Sequence, residues 1–539
     1  MITLIRKPQS SNKRYGWFVL LSIFTLIWWL GAGGDDLFLL PVLFWFIYSL
    51  YLIQQNQTVV MEQSLKQMMD WCVSESGKRK LILVLILQSL VWLCFSILKY
   101  YSFQLHIWDS GIYSNILYNL SRGDFYLSYF NEHNLADHFT PSLWVLAPLY
   151  KIYPSIHWLM LAKTLAYVFT PVLFYRLSYL IYRSENKAWL VSLFLGSLWL
   201  LFYTPVVSSM RYEFQVTSLA PPAIVYSMIC VQQRHWLRFW GSMVFILGLK
   251  ESTGSVWIGI GIFMIVNRQN IKTGWILFVG GILAMIAIMF YVMPFFNHFQ
   301  MVDKSPERMI NLWFQWDQKL IYSIKLIYPL AGLPLFYWRK GILAGPAIGI
   351  NLIAGKVAMF SSHYHYDDIP STLLMLSMIY LLKDLEPEKI LERWRASRKF
   401  WTGFVLWFAG WVALWPNSNM KLLQKVLPGA PEWQAYQEVH AFEKTLSPST
   451  RIAVQDALGP HFNRREIQAF VQHEGKDCSV ENSRFTATLK IDYIVLSTDL
   501  GHYKINDFSL CLRQLEASDT YQRIPGYSRL IVFANRDSQ

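Results

Sequence analysis

Long apolar runs constrain this chain more than any other feature. WFVLLSIFTLIWWL (17–30), LILVLILQSLVWLCFSIL (81–98) and WILFVGGILAMIAIMFYVM (275–293) each approach the roughly 20 apolar residues needed to cross a bilayer. Across 539 residues, 54% are hydrophobic and only 15% charged, well below the quarter or so usual in soluble domains, so the chain reads as a polytopic membrane protein. The net charge of +13 does not argue for nucleic acid, because the basic residues are scattered through short loops rather than gathered in one stripe.

Those loops also predict topology. About thirteen spans are expected, near 16–31, 37–54, 81–99, 157–182, 188–204, 217–232, 236–250, 252–267, 274–293, 319–337, 341–360, 369–383 and 399–415. Arg6, Lys7, Lys13 and Arg14 place the N-terminus in the cytoplasm. Counting forward, ESGKRK (75–80), YRSENK (182–187), QQRHWLR (232–238), NRQNIK (267–272), YWRK (337–340) and KDLEPEKILERWRASRK (383–399) fall inside, and all are basic. GAGGDD (31–36) and SSHYHYDDIP (361–370) fall outside with almost no lysine or arginine. The first apolar run lacks a small-residue cleavage site and reads as a retained anchor in a cell (inner) membrane. The spans 236–250 and 252–267 are short and read as a hairpin whose tip, LGLKESTG, reaches the outer side.

Three parts follow. Residues 1–80 are an N-terminal two-span extension with its cytoplasmic loop, 81–415 the transmembrane core with a large first outer loop at 100–156, and 416–539 an extracytoplasmic tail. The tail holds strand-like RIAVQ (451–455) and IDYIVLS (491–497) and a helical WQAYQEVHAFEKTL (433–446), a small α/β domain without a Gly-rich phosphate loop. Cys72, Cys94 and Cys230 fall in or beside apolar runs as packing residues, whereas Cys478 and Cys511, outside the cytoplasm, can pair as a disulfide.

This topology sends the chain's chemistry to one face. The first outer loop carries Asp109, Glu132, His133, Asp137 and His138; SSMRYEFQ adds Arg211 and Glu213; the hairpin tip adds Lys250 and Glu251. HYHYDD adds His363, His365, Tyr366, Asp367 and Asp368. Each has a plain alternative: Asp109 after Trp108 can mark the interface, Asp137-His138 can cap a helix, and Lys250-Glu251 can sit solvated at a tip. Ionisable groups flanked by hydrocarbon are nevertheless costly and tend to be functional. A carboxylate at the mouth of a membrane cavity can take a proton from an acceptor, and arginine or lysine can neutralise a phosphate leaving group. Asp109, Asp137, His365 and Asp367 are candidate ligands for a divalent cation, Mg or Mn, with no cation required by the pattern itself.

The ordered segments WDSGIYSNILYNLSRGDF, DHFTPSLWVLAPLYKIYPS, RYEF, LGLKES, HYHYDDIP and VQDALGPHFNRREIQAF resemble a family of predicted bacterial and archaeal membrane proteins known only as a domain of unknown function. That family is similar to the GT-C superfamily of membrane glycosyltransferases, which includes the protein O-mannosyltransferases and the oligosaccharyltransferase catalytic subunit. The resemblance implies a polyprenyl-phosphate-sugar donor, an outer-face glycan, lipid or protein acceptor, and a key aspartate in the first outer loop, which Asp109 matches. It implies catalytic roles for Asp109, Asp137, His138 and Glu251, and substrate contacts from Arg211, Glu213, Lys250, His363, His365 and Tyr366. One departure is Ser252, where the family carries another acid after Lys-Glu. Two other readings stay open, a transporter or flippase of lipid-linked glycans and a non-catalytic envelope assembly protein.

Overall fold

The computed structural model describes residues 58–129, 132–296, 311–385, 402, 425–462, 467–472, 478–480, 490–500 and 505–538. The expected spans at 16–31, 37–54 and 399–415 and the boundary at 416 lie outside them. Among the described residues three helices are long and apolar enough to cross a membrane: Glu75–Tyr101, His157–Tyr182 and Ile271–Phe296. A fourth candidate is a bent pair, Glu185–Phe202 with Thr204–Arg211, meeting at 51°.

After α1 (Thr58–Val73), Ser74 starts α2 (Glu75–Tyr101) by accepting the Gly77 N–H on its hydroxyl, with Glu75 in the first turn and Lys99 in the last. α3 (Ile112–Ser121) follows in the outer loop. α4 (His157–Tyr182) and α5 (Glu185–Ser197) pack closely because Gly196 lies against the Pro171 ring, 3.1 Å from where a Cβ would stand. α5 runs through a π turn to Tyr203, and Pro205 then restarts the chain as α6 (Thr204–Arg211). The expected loop after 204 is therefore helical before it turns.

α7 (Ala220–Gln233), α8 (Trp236–Leu247), α9 (Gly254–Val266) and α10 (Ile271–Ala287) complete the first bundle. Small residues set the α9–α10 distance, since a Cβ on Gly261 would stand 2.7 Å from the Gly274 carbonyl oxygen. The expected continuous spans at 319–337 and 341–360 are interrupted. α11 (Trp316–Ile327) stops at Tyr328-Pro329, and Ala331 and Gly332 turn the chain through positive φ. α12 (Gly345–Ile353) is short, and α13 (Asp368–Leu385) is almost wholly buried.

A short antiparallel pair, β1 (Tyr126–Leu127) and β2 (Glu132–His133), ties down the outer loop. At the C-terminal end, α14 (Pro431–Thr445) and α15 (Phe508–Glu516) accompany a six-stranded mixed sheet. It is built from β3 (Ile452–Val454), β4 (Ile467–Gln472), β5 (Cys478–Val480), β6 (Tyr493–Leu496), β7 (Tyr521–Ile524) and β8 (Ile531–Asn535), in the order β5-β4-β3-β6-β8-β7. β3 lies parallel to β4 and β6, and the outer pairs are antiparallel. The two expected strands and the helix are present, together with four strands the tail's turn-rich sequence hid. Cys478 and Cys511 are disulfide-bonded, joining β5 to α15.

This sheet does not stand apart from the helices. One continuous apolar core runs from Trp92 and Tyr167 through Ile107 to Val439, Leu458 and Val532. At the junction His461 stacks on Tyr100 at 4.3 Å between ring centroids, and Tyr436 meets Tyr101 at 4.9 Å. Burial holds the His461 imidazole well below its ordinary pKa, so it packs as a neutral ring.

Candidate active site

The π turn Ile107–Gly111 carries Asp109. Its defining bond runs from the Gly111 N–H to the His106 carbonyl at 3.1 Å, a local widening of the helix often found at functional sites. Asp109 Oδ2 accepts from the Tyr212 hydroxyl at 2.5 Å, and Oδ1 accepts from the Gln215 amide. Gln215 is oriented in turn by the Tyr113 hydroxyl, 2.9 Å from its Oε1. The carboxylate is thus aimed by two donors from the extended segment that follows α6.

From Asp109 a chain of contacts crosses all four expected segments. The Tyr212 ring lies over His365, with centroids 5.8 Å apart. His365 Nε2 is 3.5 Å from Lys250 Nζ, and that ammonium stands 5.2 Å above the Tyr366 ring. The neighbouring Glu251 pairs with His138 Nδ1 at 3.0 Å and accepts the Phe139 N–H at 3.3 Å. Asp137 is 3.8 Å from the other nitrogen of His138. Lys250 is buried, and the charges of Glu251, Asp137 and Asp109 all act on it. Beside it a cavity of about 30 Å³ is lined by Thr217, Ser252, His365, Tyr366 and Asp368, room for one water.

Several expected site residues do other work. Glu213 does not face the cavity. Its buried carboxylate accepts the His106 N–H at 2.8 Å and the Ser110 N–H at 3.3 Å, holding the two ends of the Asp109 turn. Burial pushes the Glu213 carboxyl up to about 7, against the opposing pull of His106. His363 is exposed and feels Lys325, so it is not brought to the site. Arg211 is buried at the end of α6. The four candidate metal ligands are not gathered: among the described residues no three histidine, cysteine or acidic side chains converge to hold an ion. Asp109 is held by Tyr212 and Gln215, while Asp367 is buried apart beside the Tyr322 and Ser362 hydroxyls, its carboxyl raised to about 7 by burial.

The sequence reading missed the frame around these groups. Lys99 Nζ donates to the Arg211 carbonyl at 2.7 Å, and Lys163 Nζ to the carbonyls of Tyr212 and Glu213 at 2.7 and 2.9 Å. Both lysines sit within apolar runs, and that alone could have flagged them. Asp368 binds the Tyr167 hydroxyl and accepts from Thr217 at 2.9 Å. His106 and Asp456 face each other, Nδ1 to Oδ2, across 350 residues of sequence, and no local signal announces that pairing. Burial disfavours the His106 imidazolium, but the Asp456 hydrogen bond and the Glu213 and Asp456 charges outweigh it and raise the group to about 9.

With this geometry in hand, comparison with known proteins gives three findings. A family model described as a predicted membrane protein (DUF2079) matches residues 99–507. Among solved structures, ArnT from Cupriavidus metallidurans bound to undecaprenyl phosphate superposes with a TM-score of 0.54 at 14% identity, covering 86% of this chain and 99% of that one. The archaeal oligosaccharyltransferase AglB from Archaeoglobus fulgidus, in complex with an inhibitory peptide and a dolichol-phosphate, gives 0.40 at 11% identity over 79% of this chain and 70% of that one. No curated protein matches by sequence. The helical fold is thus similar to that of ArnT.

Proposed function

The chain belongs to the predicted membrane protein family DUF2079, and from that footing we propose that it is a GT-C-like glycosyltransferase. It moves a sugar from a polyprenyl-phosphate donor to an outer-face glycan, lipid or protein acceptor. The observation that carries this reading is the unbroken line of contacts from Asp109 through Tyr212 and His365 to Lys250, with Glu251 and His138 beyond. It joins a carboxylate able to act as base to a buried ammonium able to meet a phosphate. The ArnT fold, found with undecaprenyl phosphate bound, supports a lipid phosphate as the donor's carrier.

In the reaction the acceptor's O–H or N–H gives its proton to Asp109 as its oxygen or nitrogen bonds to the sugar C1. The C1–O bond to phosphate breaks, and its electron pair leaves with the polyprenyl phosphate, whose charge Lys250 neutralises. Glu251 and Asp137 hold His138 at the rim, and His365 fixes Lys250. The N-terminus lies in the cytoplasm and the site faces outward, in a cell (inner) membrane.

The test is transfer of radiolabelled sugar from polyprenyl-phosphate donors by the purified full chain in lipid nanodiscs. Asp109→Asn, which keeps the shape and removes the base, is expected to lower turnover by about 100-fold or more while lipid-phosphate binding persists. Unchanged turnover in Asp109→Asn defeats the catalytic assignment. Lipid translocation without cleavage by the wild type identifies a transporter instead.

A further inference from the structure

The turn that carries Asp109 is held from outside the helical bundle. The segment Asp456–His461 folds as a 3₁₀ turn directly against Ile107–Gly111. Asp456 is buried, and both its oxygens are committed to that turn: Oδ1 accepts the Ile107 N–H at 3.1 Å, and Oδ2 meets His106 Nδ1. Glu213 takes the His106 and Ser110 N–H groups from the other side, with Oε1 3.7 Å from His106 Nε2. Three backbone donors of the turn are thus filled by two buried carboxylates, and the His106 ring bridges the pair. The fit extends to Gly459, where a Cβ would lie 2.5 Å from Ile107 Cγ1. Farther along the same loop, Ser128 Oγ accepts the Ile467 N–H of β4 at 3.3 Å.

A buried carboxylate spent on two backbone N–H groups costs desolvation unless a cation shares it, and His106 is the group placed to supply one to both acids. Lys99, whose charge also acts on His106, already donates to the Arg211 carbonyl. Removing Asp456 frees one side of the turn while leaving Tyr212 and Gln215 on Asp109 itself. The predicted consequence is a base that remains present but is no longer held in line with the acceptor. Misalignment of about 1 Å is enough to cost about 100-fold in rate.

We propose that the Asp456–His106 pair is a latch through which the C-terminal α/β part holds the Asp109 turn, making His106, Asp456 and Gly459 positioning residues for the transfer step. This rests on the reading of Asp109 as the base. It gives the C-terminal part a role in the rate of bond transfer and none in capture of the lipid donor, because its contacts to the turn end on His106 and Ile107, and the residues lining the cavity beside Lys250 all come from the helical part.

The latch is tested on the full chain in nanodiscs with Asp456→Asn, His106→Ala and His106→Asn. Three quantities are read: turnover, affinity for undecaprenyl phosphate, and amide hydrogen exchange across 104–112. Asp456→Asn and His106→Ala should lower turnover about 10- to 100-fold. Affinity for undecaprenyl phosphate should stay within about 3-fold, since only transition-state alignment is lost. His106→Asn keeps an N–H near the position of Nδ1 and should recover most of the turnover that His106→Ala loses. Amides of 107–110 should exchange about 10-fold faster in Asp456→Asn, as expected for a loss of roughly 1.4 kcal/mol of local protection.

The latch is overturned if turnover holds in both Asp456→Asn and His106→Ala, if lipid affinity falls in step with turnover, if His106→Asn is as impaired as His106→Ala, or if exchange is unchanged. Should Asp456→Asn fail to fold, the two His106 variants carry the same comparison. A wild-type chain that transfers no sugar from any donor ends the glycosyltransferase reading but leaves the latch to the exchange measurement, where faster exchange supports it and unchanged exchange refutes it.

Discussion

Gly459→Ala is the smallest change that tests whether the C-terminal part and the Asp109 turn act as one unit. The added Cβ would stand 2.5 Å from Ile107 Cγ1, 2.7 Å from its Cβ and 2.8 Å from its Cδ1. Ordinary carbon–carbon contact is about 3.5–4.0 Å, so the overlap is on the order of 1 Å. All three contacts belong to a single side chain that is 1% exposed and has nowhere to swing. Relief must therefore come from moving one turn against the other. Overpacking of this kind costs about 1–3 kcal/mol. Displacing the turn two residues from Asp109 by the same distance should lower turnover about 100-fold. Thermal unfolding and initial transfer rate measure the two effects on one preparation. Ile107→Ala removes two of the three contacts and opens space for the third, so the double variant should recover part of both losses, with a favourable coupling of about 0.5–3 kcal/mol. A Gly459→Ala protein with wild-type melting and turnover refutes the argument, and so does strict additivity with Ile107→Ala.

Lys163→Met should leave the carbonyls of Tyr212 and Glu213 without their buried donor, now 2.7 and 2.9 Å away. A loss of about 1–3 kcal/mol per unsatisfied group is expected, and an unchanged melting temperature would count against that role. The His106 group, raised from its ordinary 6.5 to about 9, stabilises the fold fully below pH 6.5 and loses that contribution as pH rises through about 9. The melting-temperature gap between wild type and His106→Ala should accordingly narrow across that window, and a gap independent of pH contradicts it. Cys478→Ser opens a disulfide that closes 33 residues and should lower stability by about 2–4 kcal/mol, read as a melting shift that reductant reproduces in the wild type.

What the sequence made legible follows from how each signal is carried. Lys250 and Glu251 stood out as candidates because they fall between two apolar runs, where a charge is costly, and Asp109 because it follows one at the start of the first outer loop. Apolar content also predicted α2, α4 and α10 well, since each is long and uninterrupted. The same criterion failed between 319 and 360, where the apolar stretch is broken by Pro329, Gly332 and Pro334. Burial depends on composition, whereas continuity depends on backbone donors and φ, and only the second distinguishes a span from a folded-back segment. In the tail, RIAVQ and IDYIVLS had strand character, but the partners that complete the sheet, such as Ala534 opposite Tyr493, lie up to 41 residues away in sequence and could not be assigned locally.

The acids show the deeper limit. By residue type Asp109, Glu213, Asp368 and Glu251 are equivalent candidates, and the sequence treats them alike. The fold separates them by what it places opposite. Glu213 faces the open N–H groups of a π turn, and Asp368 faces the hydroxyls of Tyr167 and Thr217. Those two are spent on structure. Asp109 and Glu251 meet side-chain donors along a line that leads to Lys250, and the charges of both act on that ammonium. Two lysines complete the division by capping the carbonyls of 211–213, which fixes the strand-like segment bearing both Tyr212 and Glu213. One short segment therefore points Tyr212 at Asp109 and Glu213 at the turn beneath it. Their adjacency in sequence, on opposite sides of an extended backbone, is the reason a single RYEF motif both orients the candidate base and anchors it.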